Sequence, residues 1–585
     1  MNNIDTTVSP NRASKYLLHA AILLFSIFYI VGYFFIEEDS YIYFRVAENI
    51  AQGYGYVFNI GDIPIESGSG PLWQYLLALG ALLGFNVVKQ AKLMGLLFGL
   101  ATLVLMHRSA VRLSTPLIAG CLTMALAAAV PFVWWSGSGL ESALYTFLMM
   151  LCIGIVITPE RNSWLAAAAF SFLLLARPEA FISVGCFFVY LLRTSRVPFA
   201  IRLLLSSVLI YGGYLVFRYF YFGDIQISPF YAKISVSGVQ WDYLWNVLRE
   251  YRLIYLLVLS IPAALLWQRD AANGPFILIA VLTGAGLLFA AANFDFKVYH
   301  RFFAHCLPTL LLLVAASTGR LSRTLPRRLS PWLAGYVAVA CLAIVWLPRV
   351  QDIFEYKRNP YFSMLVQLFE QPTTTLGSIA QKVRDPHTIT AVDKALQSES
   401  PHAINANYQS AVGHFLRENY PPGLTIAYDQ MGQTPYFAGQ QQNFIDFLGL
   451  ATRPIGLFYF NQNARDSTSK TLYKEVVDPL LQWRRREDRD IDLDGAMRFV
   501  EQAQPEVVII HLLVATLDRT LTHHVLYSDW LKQNYVLRYR MATWLQVYER
   551  KDHQFPLTAT NFPEMLQFTE VVPSTDGLAG SQPLP

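Results

Sequence analysis

Apolar windows of roughly 17 to 25 residues recur along the chain, near 17–36, 91–107, 116–134, 139–157, 163–176, 178–192, 202–220, 252–268, 274–292, 302–318 and 331–347. Inside lipid every backbone N–H and C=O must find a partner within the protein, so segments of this kind fold as helices. The expectation is an all-α polytopic membrane domain of about eleven spans. A composition of 54% hydrophobic and 15% charged residues over 585 positions fits that class and not a soluble protein of this length. The run "PLWQYLLALGALLGF", Pro71 to Phe85, is short and opens on proline, which suits a helix at the interface. Leu17 to Ile36 follows Arg12 and Lys15 without a small-x-small cleavage site, so it reads as a retained first span.

The charges give an orientation. With the N-terminus cytoplasmic, the inner loops hold thirteen bases, Arg12, Lys15, Arg108, Arg112, Arg161, Arg193, Arg196, Arg202, Arg269, Arg320, Arg323, Arg327 and Arg328, against Asp5, Glu160 and Asp270. Under this topology Glu37, Glu38, Asp39, Glu66, Glu141, Glu179, Asp224 and Asp295 all emerge on the outer face. Beyond residue 347 the sequence turns polar and aromatic, and an odd number of spans leaves that tail outside. Within it "LTIAYD", "VVIIH" and "VLRYRMATWLQVYER" read as strands with helical stretches between. The expected division is a membrane catalytic domain over 1–349 and a periplasmic α/β or α+β domain over 350–585, in a bacterial inner membrane.

Several chemistries fall away. Cys121, Cys152, Cys186, Cys306 and Cys341 all lie in apolar segments, which gives neither a disulfide framework nor a Cys-rich metal site. The acids and histidines show no HExxH or comparable spacing; carboxylates could hold a divalent cation, but nothing in the pattern requires one. The "SGSG" runs lack the strand-to-helix elbow of a serine hydrolase. A net charge of +4 on scattered bases does not describe a nucleic-acid binder.

What remains is a ring of charged groups at one membrane edge. Glu37, Glu38 and Asp39 end the first apolar run, and adjacent carboxylates raise one another's proton affinity, which suits a general base or a grip on hydroxyls. Arg45 follows them, and Gly53 and Gly55 break the loop into a short helix and a turn. Glu66 lies in a turn-rich stretch, Lys89 and Lys92 stand on the outer side against the charge rule, and Glu141 starts a helix. Arg177, Pro178 and Glu179 split an apolar run into two half-spans, a pattern that faces a cavity more readily than lipid. Asp224 and Lys233, then Asp295, Lys297, His300 and Arg301, complete the set; the last two resemble a phosphate clamp. Taken singly, these are also what solvated flanks, helix caps and snorkelling anchors look like.

The order "EDSYIYFRVAENIAQGYGYVFNIGD…ESGSGPLW", "SGLES", "ARPEA", "RYFYFGD…SPFYAK" and "DFKVYHRFFAHCLPTL" resembles the GT-C superfamily of polyprenyl-phosphate-sugar-dependent glycosyltransferases. The nearest branch is that of the mycobacterial terminal arabinofuranosyltransferases and bacterial relatives such as type IV pilin arabinosyltransferases; "AYDQMGQTPYFAGQQQNFIDFLGL" extends the likeness into the tail. Glu38 stands where that branch has Asp, Ser67 and Gly68 depart from its Gly-Tyr-Thr, and Asn293-Phe294 replaces a Gly-Gly. The resemblance implies a GT-C fold and transfer of a sugar, arabinofuranose at best guess, from a polyprenyl-phosphate donor to a hydroxyl on a surface glycan or a protein such as pilin. It implies Asp39 or Glu38 as the base, and Arg45, Lys89, Lys92, Lys233, His300 and Arg301 as candidates to hold the donor phosphate. Glu66, Glu141, Arg177, Glu179, Asp224 and Asp295 become substrate-binding or supporting residues. The competing reading is a transporter or flippase of lipid-linked saccharides, which would place polar groups near the bilayer midplane.

Overall fold

The computed structural model describes residues 12–32, 35–158, 162–233, 241–265, 274–292, 299–346, 371–385, 401–460, 492–516, 520–541, 545–553, 555 and 568–570. Among the described residues five helices are long and apolar enough to cross a membrane, Arg12–Val31, Val87–Leu113, Val197–Phe222, Gly274–Ala292 and Arg301–Thr324. The bent pair Pro116–Ala128 and Val130–Ser136, where Pro131 sits at the start of the second piece and the axes turn by 58°, has the length of a sixth, as a broken span or a re-entrant loop. Among the described residues each of the eleven apolar windows overlaps a helix, but the helix lengths do not confirm a count of eleven spans. Hydropathy registers apolar stretches and not the breaks between them, so pieces such as Trp164–Ala176 and Ala180–Arg193 are too short to qualify alone.

That break is legible in the chain. Pro178 disfavours helix at the residue before it, and Arg177 accordingly adopts extended φ −160°, ψ 145°. Helix resumes at Ala180 with Glu179 as its N-cap residue. The hub of the bundle is Arg301–Thr324, almost wholly buried and packed on Gly274–Ala292, Val87–Leu113 and Ser142–Val156. Gly286 permits the first of these approaches, because a Cβ there would lie 2.8 Å from the Cys306 sulfur.

The C-terminal part forms a six-stranded mixed sheet of β1 (Thr425–Tyr428), β2 (Asn443–Asp446), β3 (Val507–His511), β4 (Tyr535–Met541), β5 (Leu545–Arg550) and β6 (Phe568–Glu570). Its order is β2-β1-β3-β5-β4-β6, with β1 parallel to both β2 and β3 and the remaining pairs antiparallel. Alternation along β1 and β3 sends Ile426, Tyr428, Val507 and Ile509 to one face and Ala427, Val508 and Ile510 to the other. The first face is covered partly by the segment that follows the first long helix. Ile42, Val46, Tyr56, Phe58 and Ile65 share one core with Phe415, Leu416 and these strand residues. Bundle and sheet are thus joined by a common apolar core.

Candidate active site

The segment joining the first long helix to the rest of the bundle is ordered by its neighbours. Glu37 donates its backbone N–H to the Ser138 carbonyl at 2.8 Å, and the Ser40 hydroxyl bonds the same oxygen at 2.8 Å. The "SGSG" hairpin can come this close because Gly139, at φ +86°, carries no Cβ; one would meet Ser40 at 3.1 Å. The helix Ser40–Ala51 then starts with Asp39 as N-cap residue, but the Asp39 side chain makes no capping hydrogen bond. Its carboxylate instead faces Arg301, with Oδ2 to Nη1 at 3.4 Å.

Arg301 opens the hub helix, and two consecutive left-handed residues precede it: Tyr299 at φ +57° and His300 at φ +52°. Non-glycine residues in that region cost about 1 kcal/mol or more each, and here the packing fixes them. Tyr299 is buried, and its carbonyl accepts the Trp135 indole N–H at 3.2 Å. The guanidinium of Arg301 lies 4.9 Å from the Phe302 ring centre and that of Arg177 lies 5.3 Å from the same ring, so the two cations share one aromatic support.

Arg177 is buried between two carboxylates, pairing with Glu141 through Nη1 and with Glu179 through Nε. Ser69 adds a hydroxyl to the same Glu141 oxygen at 3.2 Å. His305, one turn beyond Arg301, bonds the Ser142 hydroxyl at 3.0 Å through Nε2 and lies 4.0 Å from Glu179 through Nδ1. Glu179 and His305 also line a cleft between the helices Ala180–Arg193, Gly274–Ala292 and Arg301–Thr324, whose walls include Ile182, Leu282, Phe289 and Phe302. Asp39, Arg301, Arg177, Glu141 and Glu179 thus form one charged patch with His305 beside it, and Glu179 and His305 reach the apolar cleft. His305 is absent from the sequence reading; its four-residue spacing from Arg301 on an apolar helix is the signal that could have found it.

Other candidates are placed elsewhere. Arg45 is expected among the phosphate cations, but its guanidinium is fully buried and spent on carbonyls. It donates to Phe58 at 2.9 Å, Pro435 at 2.6 Å, Gly439 at 2.9 Å and Gln442 at 2.7 Å. Lys92 is buried likewise, with Nζ donating to the carbonyls of Phe35 and Gly137. Both cations therefore donate to backbone carbonyls, Lys92 to those that flank the Glu37–Ser138 contact. Lys89 is at the surface and donates to the Arg384 carbonyl at 2.7 Å. His300 faces Glu250 at 3.5 Å. Glu66 pairs with Arg218 at 2.9 Å and accepts the Tyr214 hydroxyl at 2.7 Å; burial pushes its proton affinity up, and Arg218 opposes that push. Asp224 pairs with Arg453 and accepts the Tyr231 hydroxyl at 2.8 Å, tying the bundle to the helix Arg453–Phe460. Asp295 and Lys297 lie outside the described residues, as does the side chain of Lys233. No cluster of three potential metal ligands occurs among the described residues.

The last charged member is held by the C-terminal sheet. Glu38 accepts the backbone N–H of Gly432, in the loop after β1. Beside it Glu48 accepts the Tyr436 hydroxyl at 2.8 Å and the Gln440 amide at 3.0 Å. Asn59 trades two hydrogen bonds with Phe444 of β2, at 3.0 and 2.9 Å.

Comparison with known proteins agrees with this architecture. A family model described as a domain of unknown function, DUF8728, matches residues 402–558, which carry most of the sheet. The terminal beta-(1->2)-arabinofuranosyltransferase of Mycobacterium tuberculosis is 28% identical over 271 residues, 42% of this chain and 43% of the relative. The enzyme of that name from Corynebacterium glutamicum is 27% identical over 273 residues, 40% of this chain and 39% of the relative. The matched region is therefore less than half the length of either. Among solved structures, ArnT from Cupriavidus metallidurans bound to undecaprenyl phosphate superposes with a TM-score of 0.50 at 12% identity, over 91% of this chain and 97% of that one. The apo oligosaccharyltransferase of Archaeoglobus fulgidus gives 0.51 at 13% identity, over 93% and 75%. In sequence the chain is thus similar over part of its length to two terminal arabinofuranosyltransferases, and in fold it is similar to ArnT and to the archaeal oligosaccharyltransferase.

Proposed function

We propose that the protein transfers a sugar from a polyprenyl-phosphate donor to an acceptor hydroxyl at the end of the bundle that bears the charged patch. The observation that carries this reading is the Asp39–Arg301 pair beside the buried Glu141–Arg177–Glu179 cluster, whose Glu179 also lines an apolar cleft between helices. In this reading the arginine end of the patch takes the donor's phosphate. Asp39 takes the proton of the acceptor hydroxyl as that oxygen attacks the anomeric carbon; the sugar–phosphate bond breaks, and the polyprenyl phosphate leaves with the electron pair. A phosphate arriving at Arg301 competes with Asp39 for the guanidinium, which frees the carboxylate as a base when donor is present. Arg301 is the principal phosphate ligand in this reading, with His300 and His305 beside it; Lys89, Lys233 and Asp295 stay as outlying candidates.

In this reading the sugar is arabinofuranose, which the name of the mycobacterial relative supports, and the acceptor is a surface glycan or a protein such as pilin. Residues 1–349 then form the catalytic membrane domain of a bacterial inner-membrane enzyme, with the N-terminus cytoplasmic and 350–585 a periplasmic domain. The test supplies purified protein with polyprenyl-phosphate arabinose and, separately, other polyprenyl-phosphate sugars, and compares wild type with Asp39→Asn. Loss of a general base lowers turnover by about 10²–10⁴-fold. Wild-type turnover in Asp39→Asn would remove that residue as the base, and a preference for another sugar would replace arabinofuranose.

A further inference from the structure

We propose that Gly432, in the C-terminal sheet's first loop, is a positioning residue of the active site, its N–H holding the Glu38 carboxylate so that the neighbouring Asp39 meets substrate. The inference rests on the glycosyltransferase reading above and divides the labour between the two acids.

The geometry at Gly432 admits no other residue. Its N–H donates to Oε1 of Glu38, and a Cβ on Gly432 would overlap both that oxygen and the Glu38 carbonyl. The Glu38 carbonyl accepts the Tyr41 N–H at 3.1 Å, so it belongs to the first turn at which the helix Ser40–Ala51 begins. Moving Glu38 therefore moves Asp39. The hold is one end of a longer seam. Tyr41 packs on Tyr436 with ring centres 5.3 Å apart, Arg45 binds the Pro435 carbonyl and Glu48 binds the Tyr436 hydroxyl, so residues 41, 45 and 48 form a stripe along one helix face. The short helix Gln433–Ala438 lies along that stripe, and Gly432 precedes its first residue.

Physical chemistry then separates the roles. A carboxylate held by a fixed backbone N–H stays in place, whereas one paired with a cation is released when an anion takes that cation. Glu38 gives Oε1 to a fixed donor, whereas Asp39 faces a cation that the donor's phosphate can engage. Sequence gives the two acids equal standing; the loop after β1 distinguishes them.

The test measures transfer from a polyprenyl-phosphate sugar by the full-length protein and by Gly432→Ala, Glu38→Ala, Glu38→Gln and the Gly432→Ala/Glu38→Ala double variant. Amide hydrogen exchange over residues 429–436 is followed in parallel. Displacing the reacting groups by about 1 Å costs on the order of 10²-fold in rate. Gly432→Ala and Glu38→Ala should each lower kcat by about that much with little change in the donor's KM. The double variant should fall no further than either, and Glu38→Gln, whose amide oxygen still accepts the N–H, should recover most of the loss. Exchange at Gly432 should rise in Glu38→Ala and not in Glu38→Gln. Unchanged kcat in Gly432→Ala, multiplying losses in the double variant, or a Glu38→Gln as inactive as Glu38→Ala would overturn the proposal. Should Gly432→Ala fail to fold, the two Glu38 variants and the exchange measurement decide by the same criteria. A wild-type protein that transfers none of the sugars supplied would refute the glycosyltransferase reading and with it the catalytic role of the clamp, while the exchange result would still report the contact itself.

Discussion

Arg45, Asn59 and Asp39 stand within one motif-like stretch, and the chain alone offers no means of sorting them. In the structure Arg45 and Asn59 secure the C-terminal sheet, and Asp39 faces a cation across the bundle. Sequence reveals that an arginine is present but not whether carbonyls 390 or more positions away consume its donors. Arg45→Met should free the buried carbonyls of Pro435, Gly439 and Gln442 and cost about 3–5 kcal/mol of docking, read as faster hydrogen exchange across β2. A second residue-scale expectation concerns pH. Asp429, at the end of β1 and bonded to the Thr522 hydroxyl at 3.1 Å, is pushed by burial up to about 7. Between the ordinary carboxylate range and about 7, the folded state keeps a proton that the unfolded chain releases. Stability therefore falls as pH rises through that window and levels off above it. Asp446, pushed by burial up to about 6, acts in the same direction, whereas His511, lowered by burial to about 4, favours the folded state as pH rises. Asp429→Asn should flatten the decline in melting temperature between about pH 5 and pH 8; an equal decline in wild type and variant would show that Asp429 does not titrate there.

At the scale of elements, the chain was most readable where physics is local. Pro178 announces a helix break, and Ala180–Arg193 begins where the break ends. The strands at "LTIAYD" and "VVIIH" appear as β1 and β3, and "VLRYRMATWLQVYER" holds both β4 and β5, because buried apolar runs and alternation are visible in one dimension. β2, "NFID", was missed: four residues carry too little pattern, and its place depends on pairing with β1 and on Asn59. The half-helix ends were read as facing a cavity, but the pairing that makes this stable could not be read, since Glu141 and Arg177 are far apart in sequence. Arg177→Met would leave Glu141 and Glu179 buried without their cation, at a cost of about 3–5 kcal/mol. The measurement is thermal unfolding of the purified protein, and adding Glu141→Gln to Arg177→Met should restore part of the loss. A variant that melts like wild type would mean that the carboxylates find water or a proton instead.

For the whole molecule, the decisive feature is that bundle and sheet do not have separate cores where they meet. Phe58 is fully buried and sits in the cluster that includes Phe415, Ile426, Val507 and Val547, although it precedes them by some 350 residues or more. A core shared in this way couples the folding of its contributors, because neither side can bury its apolar face alone. The charged patch inherits that coupling: Asp39 begins the helix whose Ile42 and Val46 enter the same cluster, and Glu38 is held by the loop after β1. Phe58→Ala should therefore act at a distance. The lost side chain and the cavity it leaves cost about 3–5 kcal/mol, and the loss should appear as faster hydrogen exchange in β1 and β3 as well as in Ser40–Ala51. Phe415→Ala, from the other side of the interface, should give the same pattern, including faster exchange in the first-loop helix. Two independent cores would instead confine each substitution to its own side, and a Phe58→Ala protein with unchanged exchange in β1 and β3 would show that the sheet is carried by the bundle without being stabilised by it.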